Sequence, residues 1–132
     1  MVQSVYADTE GYTIRWDDNL GAIHHTWNKY LDGEAFREGC ETMLELAKQH
    51  DDPKILIDHR EMKLVDQKDQ EYIREDWIPR AVETGAKYHV VVHQKSTIAE
   101  MNLDSVIDLD GIDYKARMTS DMEEGRKWLR SK

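Results

Sequence analysis

Short apolar runs alternate along this chain with stretches in which apolar residues recur every three or four positions. Short apolar runs are typical of strands, and apolar residues recurring every three or four positions are typical of amphipathic helices. Their alternation predicts an α/β domain. Tyr12–Trp16 and Ala22–Trp27 are strand-like runs separated by DDNLG, whose Asp, Asn and Gly residues tolerate the positive φ of tight connections. We expect these two runs to form an antiparallel hairpin.

A helix and two central strands are predicted next. Asp32 has apolar residues on both sides at the spacing of a hydrophobic staple around an N-cap, which predicts a helix to about His50. Ile55–Ile57 and Val90–Val92 are continuously apolar, as strands covered on both faces are, and a helical segment separates them. We expect them to be parallel neighbours joined by a right-handed crossover.

The connecting helix carries its own start and stop signals. Asp66 is placed to cap its beginning, and Gly85 is placed to end it in the left-handed conformation. Pro79 removes a backbone donor inside the helical pattern, which predicts a kink near Trp77.

Two further helices and a strand complete the pattern. Thr97 with Glu100 forms a capping box for a third helix, and Asp121 can cap a last one. Ile112–Met118 between them has the pattern of a last strand. The sequence therefore predicts a single domain over residues 1–132, with a mixed five-stranded sheet (an N-terminal antiparallel hairpin, then parallel β-α units) and about four helices.

Charge and composition narrow the choice of function. The chain has 132 residues, with 18 Lys and Arg against 27 Asp and Glu, a net charge of −9. Such an acidic surface repels phosphate backbones, so we expect no nucleic-acid partner. No apolar run is long enough to insert in a membrane, and the start lacks the pattern of a secretion signal, so we expect a cytoplasmic protein. Cys40 is the only cysteine and occupies an apolar helix position, which predicts a small core residue.

The segment ILIDHREMKLVDQKDQEYI, together with the order of elements, resembles the STAS-like (SpoIIAA-like) domain family. In that family a strand ends in Asp, an apolar segment follows, and a second Asp opens the next helix just before a phosphorylatable Ser. Asp58, Met62, Val65 and Asp66 match this rhythm. The segments REDWIPRAVETGAK and EAFREGC look like a stand-alone branch that is sometimes grouped with SEC14-like domains. The resemblance implies a SpoIIAA-like fold.

The chain departs from that family at the position of the phosphoacceptor. Gln67 follows the second Asp, and an amide cannot be phosphorylated by a serine kinase. The resemblance therefore implies a non-catalytic regulatory or protein-interaction module without the usual switch. By the same resemblance, its contact surface is expected on the second helix and the loop before it. The residues predicted for this surface are Met62, Asp66, Gln67, Asp69 and Arg74.

A small-molecule site is the alternative interpretation. The carboxyl ends of parallel strands commonly bind ligands in α/β sheets, and DHR and HQKST follow two such strands here. Trp77, beside the predicted kink, is placed to line an apolar cavity between helix and sheet, although core packing also explains it. The residues predicted to bind an apolar or anionic ligand are Asp58, His59, Arg60, Trp77, His93, Lys95, Ser96 and Thr97.

Simpler structural roles compete with these assignments. Asp66 is explained by capping, and Asp58 by a pair with Arg60 or a loop hydrogen bond. His89 and His93 share a face of their strand but lie about 13 Å apart by strand rise, too far to bind one metal ion directly. We expect no metal and no cofactor. An enzyme using Asp58 and a histidine stays open as a third hypothesis, and so does a homodimer.

Overall fold

A seven-stranded mixed sheet runs through the computed structural model, which describes residues 3–62, 65–96, 106–108 and 114–132. The strands are β1 (Gln3–Asp8), β2 (Tyr12–Asp17), β3 (Ala22–Trp27), β4 (Lys54–Asp58), β5 (Tyr88–Val92), β6 (Val106–Asp108) and β7 (Lys115–Thr119). They lie in the order β1-β2-β3-β4-β5-β7-β6. The strands from β3 to β7 pair in parallel, whereas the pairs at both edges are antiparallel.

Three helical segments lie wholly within the described residues. They are α1 (Gly33–Ala47), then α2 (Gln67–Tyr72) continuing through a π-helical turn (Ile73–Trp77) into α3 (Ile78–Glu83), and α4 (Met122–Arg130). Two predicted caps are confirmed: Asp66 accepts from the backbone N–H of Lys68, and Asp121 from those of Glu123 and Glu124. Asp32 occupies the N-cap position of α1, as predicted, but its side chain makes no capping hydrogen bond. Lys95 and Ser96 are also helical, whereas Thr97 and Glu100, the predicted caps of the third helix, lie outside the described residues.

The α/β class, the N-terminal hairpin and the parallel pairing of β4 with β5 are confirmed. The predicted number of five strands is wrong, because β1 and β6 were not predicted. Only Ala7 of the described β1 side chains is partly buried, so this edge strand carries no hydrophobic alternation to detect. The predicted last strand begins later, at Lys115, and its predicted start at Ile112 lies outside the described residues.

The sheet separates two apolar layers of unequal size. The larger layer packs α1 and the second helical segment against one face and buries the large rings of Trp27, Phe36 and Trp77. The smaller layer packs α4 against β4, β5 and β7 around Leu56 and Leu129. The larger layer therefore holds most of the apolar core.

A buried ion pair fixes α4 to the hairpin. Asp17, the last residue of β2, is fully buried and accepts from the backbone N–H groups of Asn19 and Leu20, at 3.0 and 3.2 Å. Its other oxygen accepts from Arg126 of α4 at 2.8 Å. One carboxylate thus organises the hairpin turn and anchors the last helix.

Two polar clusters join α1 to the second helical segment. In the first, Asp69 of α2 accepts from the backbone N–H of Gly33 at 2.9 Å and from Arg37 Nε at 3.2 Å. In the second, Glu41 accepts from Tyr72 and from both terminal nitrogens of Arg80. These hydrogen bonds, chiefly that from Arg80, lower the pKa of Glu41 to about 2. The two helices are therefore bonded to each other at two places along their length.

Gly39 brings α1 directly against the indole of Trp27. A Cβ added there would lie 2.6 and 2.8 Å from Trp27 Cη2 and Cζ3. We expect Gly39→Ala to lower the free energy of unfolding by about 1–3 kcal/mol through overpacking, more than the gain of about 1 kcal/mol from helix propensity. Urea unfolding measures the change. The exposed Glu38→Ala is the control, and a Gly39→Ala protein as stable as this control would contradict the close contact.

Candidate functional site

A cavity of about 520 Å³ lies between the larger helical layer and the sheet. Its wall takes residues from α1, from the second helical segment and the loop before it, and from four strands and the residues after them. They are Trp27, Phe36, Cys40, Met43, Ile57, His59, Val65, Gln70, Ile73, Arg74, Trp77, Ile78, His89, Val91, His93, Ala116 and Met118. Most of these side chains are apolar, and the volume falls in the range of small-molecule sites.

The π-helical turn forms part of the wall. The N–H of Ile78 donates to the carbonyl of Ile73, five residues earlier, where an α-helix would use a carbonyl four residues earlier. Pro79 follows and has no N–H to offer the preceding turn. The sequence predicted an irregular helix near Trp77, and the structure places the π turn there. Single π turns inside α-helices are frequent at functional sites, and this one contributes Ile73, Arg74 and Trp77 to the cavity wall.

Trp77 is both a core residue and a cavity residue. Its side chain is buried, and its indole Nε1 donates to the carbonyl of Cys40 on α1 at 2.8 Å. This hydrogen bond fixes the ring between the two helices. The predicted core role of Cys40 is also confirmed, because its side chain is buried.

Several buried ring nitrogens of the cavity wall have no hydrogen-bond partner among the described residues. Both nitrogens of His89, Nδ1 of His93 and Nε1 of Trp27 belong to this group. Rotating an imidazole by 180° exchanges its nitrogens with carbons, so each ring has two ways of presenting them. Buried polar groups in proteins are nearly always hydrogen-bonded, and each exception calls for an explanation.

These histidines are neutral at physiological pH. Burial lowers the pKa of His89 to about 4, and it lowers the pKa of His93 against the opposing effect of Asp58. His25, on the same sheet face beside Tyr12 and Trp27, has its pKa lowered by burial to about 3. A neutral imidazole has one donor and one acceptor nitrogen, so this wall offers hydrogen bonds of both kinds without charge.

The solvent side of the cavity carries the polar residues Gln70 and Arg74, both exposed. Gln70 Nε2 donates to the carbonyl of Val65 at 2.7 Å. Arg74 is the only Lys or Arg side chain in the described wall, and its guanidinium makes no hydrogen bond or ion pair with a described residue.

The predicted ligand residues divide between this cavity and other positions. Trp77, His59 and His93 line the cavity together, and the rings of His59 and His93 are 5.1 Å apart. Asp58 and Arg60 are outside its wall. Lys95 and Ser96 are exposed and also outside it, and Thr97 lies outside the described residues.

Asp58 has the predicted structural role. Both its carboxylate oxygens accept from the Arg60 guanidinium, at 3.0 and 2.8 Å, and one also accepts from the Arg60 backbone N–H. Burial raises the pKa of Asp58, but these hydrogen bonds outweigh it and hold the pKa below its usual value. β4 ends at Asp58, so the side-chain alternation predicted for a strand continuing through His59 does not apply; His59 is in the cavity wall and Asp58 is not.

The predicted partner surface is partly buried. Met62 is fully buried in the larger core, and Asp69 is buried beneath Gly33 and Arg37, so neither side chain can belong to an exposed contact surface. Asp69 is buried because its carboxylate receives the N–H of Gly33 at the start of α1, where Asp32 makes no side-chain cap. Asp66, Gln67 and Arg74 are exposed.

Sequence reasoning missed several residues of the site. His89 was assigned to the correct sheet face but was considered only as a metal ligand. Phe36 and Met43 belong to the apolar stripe of α1, and nothing in that stripe distinguishes a cavity wall from a filled core. The sequence feature that points to this cavity is the combination of Trp77 and Pro79 in one helix with a central strand that carries histidines.

Comparison with known proteins yields no relative. No family model matches the chain, and no curated protein or solved structure shows significant similarity to it. The STAS-like resemblance stays a prediction.

Metal and membrane sites were also sought in the described residues. They contain no group of three or more His, Cys, Asp or Glu side chains placed to hold a metal ion. Within the same ranges, no helix has the length and apolar character required to cross a membrane.

Proposed function

We propose that this protein is a small-molecule binding module whose ligand occupies the cavity between the helices and the sheet. The observation that carries the proposal is a cavity of about 520 Å³ with an apolar wall in which buried ring nitrogens have no described protein partner. An apolar body fits this wall, and a hydrogen-bonding group on the ligand satisfies ring nitrogens that no described residue pairs.

This function also agrees with the absence of the phosphoacceptor serine that the STAS-like resemblance leads us to expect. Gln67 occupies the position of the phosphoacceptor, so phosphorylation there is not available as an input. Binding of a ligand can regulate a non-catalytic module in place of phosphorylation. The contact-surface hypothesis is weaker, because Met62 and Asp69 are buried. The enzyme hypothesis is weaker too, because Asp58 is bonded to Arg60 and stands outside the cavity wall.

Binding of N-phenyl-1-naphthylamine, an uncharged aromatic probe that fluoresces in apolar surroundings, tests the cavity. We expect saturable binding to the wild type. In Ala116→Leu, which adds three carbons to a wall residue, we expect the affinity to fall by about tenfold or more, because the probe loses the space it needs.

Ala35→Leu is the matched control, since it adds the same atoms at an exposed position of α1. Circular dichroism and thermal unfolding establish that both variants are folded. Equal affinity of the two variants for the probe would place its binding elsewhere and would contradict the cavity site.

A further inference from the structure

Three large aromatic side chains, Trp27, Phe36 and Trp77, form part of the apolar wall of the cavity. Trp27 and Phe36 are stacked with their ring centroids 4.8 Å apart, and Trp77 and His89 are tilted at 5.9 Å. Flat rings offer faces and edges that pack favourably against another flat ring. Such a wall favours a flat, conjugated ligand body.

The described wall of the cavity has one cationic side chain, and it is at the solvent side. Arg74 belongs to the π turn and is exposed. Four other arginines, Arg37, Arg60, Arg80 and Arg126, are each paired with a carboxylate of the protein. In a chain with a net charge of −9, carboxylates are abundant, yet Arg74 is paired with no described carboxylate. Among the described residues nothing competes with an external anion for its guanidinium.

The inner wall of the cavity favours an uncharged part of the ligand. Its polar groups include the neutral imidazoles of His89 and His93, and the described wall has no carboxylate and no cation other than Arg74 to balance a buried charge. A charged group on a ligand is therefore tolerated only near Arg74, where water and the guanidinium stabilise it.

We propose that the ligand is an organic monoanion whose flat apolar body fills the cavity and whose carboxylate, or chemically similar group, pairs with Arg74 at the solvent side. This proposal rests on the cavity function proposed above. It adds a polarity to the site: the uncharged end of the ligand enters first, and the anionic end stays at the surface.

Two probes with the same aromatic body separate the two proposals. N-phenyl-1-naphthylamine is uncharged, and 8-anilinonaphthalene-1-sulfonate is its sulfonated counterpart. The dissociation constants of both are measured by fluorescence titration for the wild type, Arg74→Gln and Lys68→Gln. Lys68→Gln is the matched control, because it removes one positive charge from an exposed position of the same helical segment outside the cavity wall.

We expect Arg74→Gln to weaken binding of the sulfonate by about tenfold, because the charge-assisted pair is lost, and to change binding of the uncharged probe less than about twofold. Lys68→Gln should leave both nearly unchanged. If Arg74→Gln weakens the sulfonate no more than Lys68→Gln does, or if the wild type binds only the uncharged probe, the anion proposal is wrong and the cavity function stands. If the wild type binds neither probe, both proposals are wrong.

Discussion

Acidification from pH 6.5 to pH 4 is expected to lower the free energy of unfolding by several kcal/mol, because His25 and His89 are held neutral in the core. Burial lowers their pKa values from 6.5 to about 3 and about 4. Above pH 6.5 the rings are largely neutral in both states and stability is unaffected. Below it, the unfolded chain binds protons that the folded protein excludes, so each ring removes about 1 kcal/mol per pH unit.

Urea unfolding followed by tryptophan fluorescence at several pH values between 7 and 4 measures this dependence. In His89→Phe the slope of stability against pH should fall by about 1 kcal/mol per pH unit, and the remaining slope comes from His25 and from His24 and His93, whose pKa values are also lowered by burial. Glu41 also loses its stabilising effect in acid, because its pKa is lowered from 4.5 to about 2. That loss occurs mainly below pH 4.5, so it can be distinguished from the loss caused by the histidines. The hypothesis fails if His89→Phe and the wild type lose stability equally with acid.

Replacement of Asp17 by Ala is expected to lower the free energy of unfolding by about 3–5 kcal/mol. The substitution leaves Arg126, whose side chain is only 18% exposed, without the carboxylate that it binds at 2.8 Å. It also removes the acceptor for two backbone N–H groups of the hairpin turn. Both changes leave buried or partly buried polar groups without a hydrogen-bond partner, and such groups keep the full cost of their removal from water.

Chemical denaturation of Asp17→Ala, Arg126→Ala and the double variant forms a mutant cycle that isolates the pair from the turn. Asp17→Asn keeps an acceptor for the turn and should lose less stability than Asp17→Ala. Glu10→Ala provides the exposed comparison, because Glu10 and Lys29 form a pair at 3.2 Å on the surface, and we expect a change of about 0.5 kcal/mol or less. A loss for Asp17→Ala as small as that for Glu10→Ala would contradict the anchoring role.

Features controlled by neighbouring residues could be predicted from the sequence. Asp66 and Asp121 cap helices because a short carboxylate side chain reaches backbone N–H groups two or three residues ahead. Gly85 has a φ of 100°, a conformation that side-chain-bearing residues rarely adopt. The apolar runs of β4 and β5 identified central strands because both their faces are covered.

Features controlled by distant residues could not be predicted. Asp17 and Arg126 are 109 positions apart in the chain, and no local pattern signals their pairing. Asp69 looks like an exposed helix residue until α1 is placed over it. The cavity depends on the distance between the helical layer and the sheet. The apolar pattern of a helix does not report that distance, because it is the same for a helix in contact with the sheet and for one separated from it by a cavity.

The two polar clusters between α1 and the second helical segment limit how a ligand can enter the cavity. Asp69 bonds α2 to the first turn of α1, and Glu41 bonds Tyr72 and Arg80 to the middle of α1. Separating the two helices from each other would break both clusters. Lifting them together from the sheet would break neither cluster, so these hydrogen bonds make the two helices one mechanical unit over the sheet.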